Sequence, residues 1–248
     1  AHHIDVGGAA PGSQRVHGVT EAFQEGLRIL PVKLIRGGAF DQDLLRMILG
    51  NVRVPEKVEG DLRAQANATR AGALRLSTLF DEQGVDIVEA AHEAILDRSE
   101  QRMRELIGDI PDGRYAFEDQ LDDYGPDTPP IIVAVDVTVA GDEVEVDFSR
   151  SSDQVPAALN SYINYTRAYT MFAVKVFCDA LLPQNHGGMR PIRTVAREGS
   201  FFNPKFPASS GGRAAVQIRI FDAIKGALSQ ALSHRAMGAF SPWSNPNI

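Results

Sequence analysis

Two imidazoles and a carboxylate stand within four residues of one another at His2, His3 and Asp5, and the paired glycines Gly7 and Gly8 follow. Imidazole together with carboxylate suits a divalent zinc, manganese or iron ion, and glycine lets backbone approach a ligand closely. In an extended stretch His3 and Asp5 share one side while His2 faces the other. The segment alone therefore does not close a metal site, and a hydrogen-bonding pair or a tag remnant is the plainer reading of the double histidine. A second polar set is Asn51, Arg53 and Asp61. Their spacing is poorly explained by helix packing, so they are expected to converge near His2. The alternative is a structural network in which Arg53 and Asp61 pair and cap helix ends.

The common chemical signatures are missing. The sequence holds no phosphate loop, no dinucleotide glycine fingerprint, no paired-cysteine motif and no nucleophile elbow. His92-Glu93 is followed by Leu96 where a zinc protease needs its second histidine, so His92 reads as a surface or half-buried residue. The single cysteine, Cys178, cannot form an internal disulfide, which makes a reducing cytoplasm the default compartment. Its apolar neighbourhood, Phe172–Leu182, points to a buried structural thiol.

A net charge of −7 argues against nucleic-acid binding, which needs a clustered basic surface. The charge is uneven, however. From Lys175 onward nine Lys or Arg face only Asp179, Glu198 and Asp222. This reads as a solvated face or as a surface for an acidic partner or an anionic substrate. No apolar run reaches the length needed to span a bilayer, and the start lacks the regions of a signal peptide. The opening without Met and the closing Asn245-Pro246-Asn247-Ile248 read as cuts through a longer sequence.

Residues 1–110 read as a loop and helical region, and residues 111–248 as a mixed region. After a Gly- and Pro-rich start, the spacing predicts helices over Asp41–Leu49, Glu56–Phe80 and Asp86–Ile107. The last two are joined at Gly84 as an αα-hairpin, with Leu62, Ala66, Ala73, Leu76 and Phe80 on one apolar stripe and Val88, Ala91, Ile95 and Leu106 on the other. Strands follow at Tyr115–Leu121, Ile131–Val139 and Glu143–Phe148, the last two flanking a turn at Gly141. Asn160–Leu182 is helical, with Tyr162, Tyr165, Tyr169 and Phe172 spaced as core residues. Ile192–Ala196 is a strand. Gly212–Leu232 is a helix, although Val216, Ile218 and Ile220 alternate as a strand would. A helical hairpin, then strands, then further helices give an α+β class.

Ordered motifs extend along the whole chain. They are Ala1-His2-His3-Ile4-Asp5-Val6-Gly7-Gly8, Gln24-Glu25-Gly26-Leu27, Asn51-Val52-Arg53 with Pro55, and Gly60-Asp61-Leu62 with Ala64-Gln65. Further along stand Pro111-Asp112-Gly113, Asp147-Phe148-Ser149 with Ser151-Ser152, Asn160, Pro183-Gln184-Asn185, Arg190-Pro191-Ile192 and Glu198-Gly199-Ser200. In this order they resemble the hydantoinase B/oxoprolinase family. One departure is Arg150, where the family usually has a glycine suited to positive φ, which puts the local turn in doubt.

The resemblance implies a subunit of an ATP-dependent cyclic-amide hydrolase working beside a hydantoinase A-type subunit that binds the ATP, in a hetero-oligomer. Related members serve ketone carboxylation, and a non-catalytic scaffold is a third reading. It further implies a divalent metal (Zn, Mn or Fe) in the complete protein, with His2 as a ligand. A His-x-x-Asp pair lying before residue 1 would supply its partners. His3 and Asp5 would orient ligands or a water, and Asn51, Arg53 and Asp61 would line the same site.

Overall fold

The computed structural model describes residues 4–10 and 18–238. His2 and His3 lie outside the described residues. The chain is built around two hydrophobic clusters of very different size.

The smaller cluster belongs to the first helices. Strands β1 (Ile35–Arg36) and β2 (Ala39–Phe40) form a minimal hairpin through Gly37 and Gly38, whose φ values of 56° and 84° suit glycine. Helix α1 (Gln42–Leu49) starts where Asp41 accepts the Leu44 N–H at 3.1 Å, an N-cap that satisfies an otherwise orphaned donor. Leu45 and Ile48 of α1 pack on Val58 and Leu62 of α2 (Pro55–Gln83), with Ile4, Leu27 and Phe40 around them. Pro55 opens α2 at a position where its missing N–H costs nothing.

Helix α3 (Val85–Gly108) follows α2 through Gly84, whose φ is 86°. The junction is as expected, but the packed hairpin is not formed. The two helices make few contacts with each other. Leu76 and Ile95, expected on facing apolar stripes, are 42% and 56% exposed. Periodicity defines an apolar face; it does not say which element covers it.

The larger cluster is formed by a four-stranded sheet and three helices. Strands β3 (Gly113–Leu121), β4 (Ile131–Ala140), β5 (Glu143–Asp147) and β6 (Ile192–Val195) lie in that order, antiparallel except for the parallel β5–β6 pair. A parallel pair needs a long crossover, and α4 (Ile163–Asp179) lies in it. Val137 pairs with Tyr115 on one side and Val146 on the other, fixing the register of the sheet centre. Ile131, Val133, Val135, Val137 and Val139 of β4 all enter the core. Opposite them lie Val216, Ile220, Ile224 and Leu228 of α5 (Ala214–Ala231) and the end of α3 at Met103, Leu106 and Ile107. Helix spacing thus overrides the alternation at the start of α5: Val216 and Ile220 are buried, while Ile218 is only half-buried. A Cβ at Gly226 would lie 2.7 Å from the Phe117 ring, so α5 and β3 approach this closely only with glycine there.

The face of α4 that turns inward differs from expectation. Thr166, Thr170, Ala173, Val174 and Phe177 are buried, whereas Phe172 is exposed and Tyr162, Tyr165 and Tyr169 are half-buried. Thr170 satisfies its hydroxyl locally on the Thr166 carbonyl, and Thr166 satisfies its own on the distant Phe202 carbonyl, which lets both sit at the core. Phe172 instead reaches α5, where it lies 5.4 Å from Phe221, and Tyr169 stands edge-on to Phe172.

Beyond the end of β5, two serines take over the sheet ladder. Ser152 accepts the Ile132 N–H through Oγ at 2.8 Å and donates its own N–H to the Ile132 carbonyl at 3.1 Å. Ser151 Oγ accepts the Ala134 N–H at 3.0 Å and donates to the Ala134 carbonyl at 2.9 Å. The serines therefore saturate the backbone of β4 on the side away from β3, where β5 no longer pairs with it. Arg150 beside them does not need positive φ: among the described non-glycine residues only Asp127 has it. Its Nε donates to Asp136 at 2.8 Å, and Arg114 approaches the same buried carboxylate at 3.1 Å. Burial pushes Asp136 up, but the two guanidinium groups outweigh it and hold the carboxyl below its ordinary value.

The basic excess of the last third is largely consumed within the fold. Arg190 pairs with Asp97 and Glu100, Arg193 with Glu145, Arg197 with Asp153, and Arg219 with Asp119. Among the described residues no helix is long and apolar enough to cross a membrane.

Candidate active site

Residues 4–10 thread between two loops that hold them by backbone contact. Leu27 N–H donates to the Val6 carbonyl at 2.7 Å, and Ala9 N–H to the Gln24 carbonyl at 2.8 Å. The approach is so close that glycine is required. A Cβ at Gly7 would lie 2.3 Å from the Asn51 carbonyl oxygen, and one at Gly8 would lie 2.6 Å from the Glu25 carbonyl carbon. Both have positive φ, at 82° and 90°. This is why the paired glycines follow the histidine–aspartate segment.

Asp5 fastens the thread on its other side. One carboxylate oxygen accepts the Gly7 N–H at 2.9 Å, and the other accepts the Arg53 N–H at 3.0 Å. The Arg53 N–H bond, helped by that of Gly7 and by the Arg53 charge, holds the carboxyl below its ordinary range despite a desolvation cost. Arg53 closes the loop in return, donating from its guanidinium to the Gly8 carbonyl at 2.5 Å and the Ala10 carbonyl at 3.5 Å. Asp5 and Arg53 thus act as one clamp, through side chain to backbone in both directions.

The four described residues expected at the site divide accordingly. Asp5 and Arg53 are brought together. Asn51 contributes its carbonyl, against Gly7, while its side chain donates to the Met47 carbonyl at 2.7 Å at the end of α1. Asp61 is half-buried on α2, beside the buried Leu62. Its pairing with Arg53, considered from the sequence, is not formed, because the guanidinium is directed to the two carbonyls. The expected convergence on His2 lies outside the described residues.

Sequence reading missed the third wall. Glu25 Oε1 accepts the Ser210 N–H at 2.6 Å and also the Gly211 N–H. Burial raises the Glu25 carboxyl, against the opposing pull of these N–H groups and of Arg213. Arg213 lies 4.1 Å over the Tyr165 ring and donates to the Tyr165 hydroxyl at 2.6 Å and the Ser210 carbonyl at 3.1 Å. Its Nε is buried and has no partner among the described residues. The available signal was Ser209-Ser210-Gly211-Gly212 placed just before a helix, a composition suited to a tight backbone approach.

Other expectations at single residues hold. Cys178 is buried, and burial pushes its thiol up to about 12, so it is no nucleophile. His92 is exposed. A groove of about 400 Å³ lies between α4 and β6, lined among others by Arg167, Arg193 and Asn203 and by no residue of the Asp5 clamp. Among the described residues, no three His, Cys, Asp or Glu gather as a metal site would require.

Known proteins resemble this chain in sequence and fold. Caprolactamase subunit beta of Pseudomonas jessenii is 32% identical over 249 residues, covering 100% of this chain and 42% of that protein. The crystal structure of the ATP-dependent caprolactamase from Pseudomonas jessenii superposes with a TM-score of 0.88 at 32% identity, over 95% of this chain and 41% of that one. A nucleotide-free acetone carboxylase structure superposes with a TM-score of 0.81 at 17% identity, over 95% of this chain and 33% of that one, a likeness of fold. The chain thus spans less than half the length of these relatives. The profile of the hydantoinase B/oxoprolinase family matches residues 1–248 throughout, and the chain belongs to that family.

Proposed function

We propose that this chain belongs to a subunit of an ATP-dependent cyclic-amide hydrolase, and that the thread of residues 4–8 forms part of the wall on which the activated carbonyl is attacked. The observation that carries this reading is the clamp. A segment bearing two histidines leads into a backbone thread that Asp5, Arg53, Gly7 and Gly8 hold from both sides. Rigid support of this kind is what a catalytic group needs to keep its aim.

The chemistry follows from the amide. Resonance makes its carbonyl a poor electrophile, the same resonance that sets a barrier of about 18–20 kcal/mol to peptide rotation. Transfer of a phosphoryl group from ATP to the carbonyl oxygen, on a hydantoinase A-type partner, removes the resonance and installs a leaving group. Attack by water on the carbon gives a tetrahedral adduct. Cleavage of its C–N bond, with a proton passing to the nitrogen, opens the ring to an acyl phosphate, and a second water cleaves that to the acid and inorganic phosphate. A divalent zinc, manganese or iron ion held in part by His2 would supply Lewis acidity and a more acidic water. The described residues gather no ligand set for such an ion, so the roles of Asp5 and Arg53 are assigned without it. Both Asp5 oxygens already accept N–H bonds, which suits orientation of the His2–His3 segment better than direct ligation. Asn51 serves through its backbone, and Asp61 from α2.

The test uses the complete subunit expressed with its hydantoinase A-type partner. Cyclic-amide-dependent ATP hydrolysis with a ring-opened product is expected, and His2→Ala should abolish it while assembly and ATP binding persist. Full activity in that variant, or after exhaustive chelation, overturns the metal role. ATP consumption that requires bicarbonate and a ketone, with no amide turnover, replaces the hydrolase by a carboxylase. The 32% identity to a caprolactamase subunit favours the amide.

A further inference from the structure

The groove of about 400 Å³ between α4 and β6 takes no part in the Asp5 clamp. Its volume lies within the range of small-molecule sites, about 300–1,000 Å³. It forms because β6 ends the sheet: no described strand pairs with its outer edge, while α4 packs alongside. Ile163, Arg167 and Met171 of α4 recur every four residues and so present one face to the groove. Arg193 and Thr194 line it from β6, and Asn203 from the loop beyond.

Four of these side chains have hydrogen-bonding capacity that the fold leaves unused. Arg167 is exposed, and its guanidinium engages no described residue. Arg193 approaches Glu145 through Nη1 at 2.8 Å and keeps the rest of its fork. Asn203 donates one amide N–H to the Ala196 carbonyl at 3.2 Å and has a second to give. The Thr194 hydroxyl is buried without a partner among the described residues. Thr194 stands in register with the fully buried Val146, so its inner surroundings are apolar. A turn about χ1 exchanges the hydroxyl with the methyl group, giving the methyl those surroundings and the hydroxyl the groove.

From this lining we infer that the groove binds a small aliphatic carboxylate. Guanidinium forks match the two oxygens of a carboxylate in plane and spacing. Arg167 and Arg193 supply them, and only Glu145 opposes their charge, so the groove favours an anion. Asn203 and the outward-turned Thr194 hydroxyl add neutral donors. Ile163 and Met171 give the aliphatic body an apolar floor, which inorganic phosphate has no means to use. The inference does not depend on the hydrolase reading.

Calorimetric titration with pentanoate tests it, on the 248-residue chain and on the complete subunit. Both should bind with a Kd below about 1 mM, and inorganic phosphate should bind at least about tenfold more weakly. The Met171 methyl resonance should shift on binding, which places the ligand in the groove. Arg167→Gln should weaken binding about tenfold and Thr194→Val about two- to fivefold. Neither should lower the midpoint of urea unfolding, since neither side chain has a partner in the fold to lose. Glu145→Gln should tighten binding, because it releases Arg193. No binding up to about 10 mM, phosphate bound as tightly as pentanoate, or unchanged affinity in Arg167→Gln overturns the proposal. Binding by the chain but not by the complete subunit also overturns it, because another part of the protein then covers the groove.

Discussion

Helices α3 and α5 are both amphipathic in sequence, yet they meet different surroundings. Along α5, the residues Val216, Ile220, Ile224 and Leu228 are fully buried against the sheet and α4. Along α3 burial is concentrated toward its end, from Met103 to Ile107, with Val88 buried near its start, while Ile87 and Ile95 stand open. One helix is completed by this chain and the other is not. An amphipathic pattern states that a face will be covered, and the covering element has to be found elsewhere.

The strongest way to break that contrast is to delete side chains from each side of it. Phe202 is fully buried, with its ring centroid 4.8 Å from that of Phe148 and 5.2 Å from that of Phe201. Phe202→Ala should cost about 3–5 kcal/mol in urea unfolding. Leu76→Ala should cost under about 1 kcal/mol. Equal losses would mean that α2 is packed after all. Next in size is Ser151→Ala, which strips a partner from both the N–H and the carbonyl of buried Ala134 and should cost about 1–3 kcal/mol. The clamp lies between the two extremes. Asp5→Ala should lower turnover of the complete complex by about 10–100-fold and leave its assembly intact. Unchanged turnover would reduce the clamp to a structural loop.

The acid limb of stability provides a finer test, because Asp136 and Glu25 act in opposite senses. Asp136 is held below its ordinary value near 3.8, so the stability it contributes is present above that pH and is lost as pH falls through its folded pKa. Asp136→Asn should flatten the acid decline. Glu25 is raised from its ordinary value near 4.5, so its contribution is greatest in acid and is lost as pH rises through its folded pKa. Glu25→Gln retains an acceptor for the Ser210 N–H and removes the buried charge, so the variant should be more stable than the unaltered chain at pH 7. Thermal unfolding between pH 3 and 7, in about half-unit steps, separates the two. The smallest effect belongs to Arg75→Glu, expected to change stability by less than about 0.5 kcal/mol.

These contrasts also explain which features could be read from the residues. Strands β3 to β6 and all five helices are local signals of alternation and helical spacing, and Asp41, Pro55, Gly84 and Gly141 mark their limits. The inward face of α4 was misread because rings outweigh threonines on any hydrophobic scale, whereas Thr166 and Thr170 become core residues once their hydroxyls find carbonyls. Ser151 and Ser152 carry no periodic signal, since their task depends on where β5 ends and β4 continues. At the site, Asp5 and the glycines drew attention by composition, and Arg53 by its motif. Glu25 and its link to Ser210 and Gly211 connect residues too distant for any local pattern.

That link has a consequence for how the protein comes into being. Glu25 is bonded to residues 185 and 186 positions later, and Ser209 donates its hydroxyl to the Val19 carbonyl at 2.9 Å across 190 positions. Contacts of such long sequence separation close late, after more local structure has formed. On a ribosome, the loop that carries Glu25 must wait for the chain as far as Gly211 to emerge before its partners exist. During that interval the glycine-lined thread lacks its third wall. Assembly of the clamp then follows synthesis of Ser209–Gly211, and a nascent chain stalled before Ser209 would hold Asp5 and Arg53 without the support on which their aim depends.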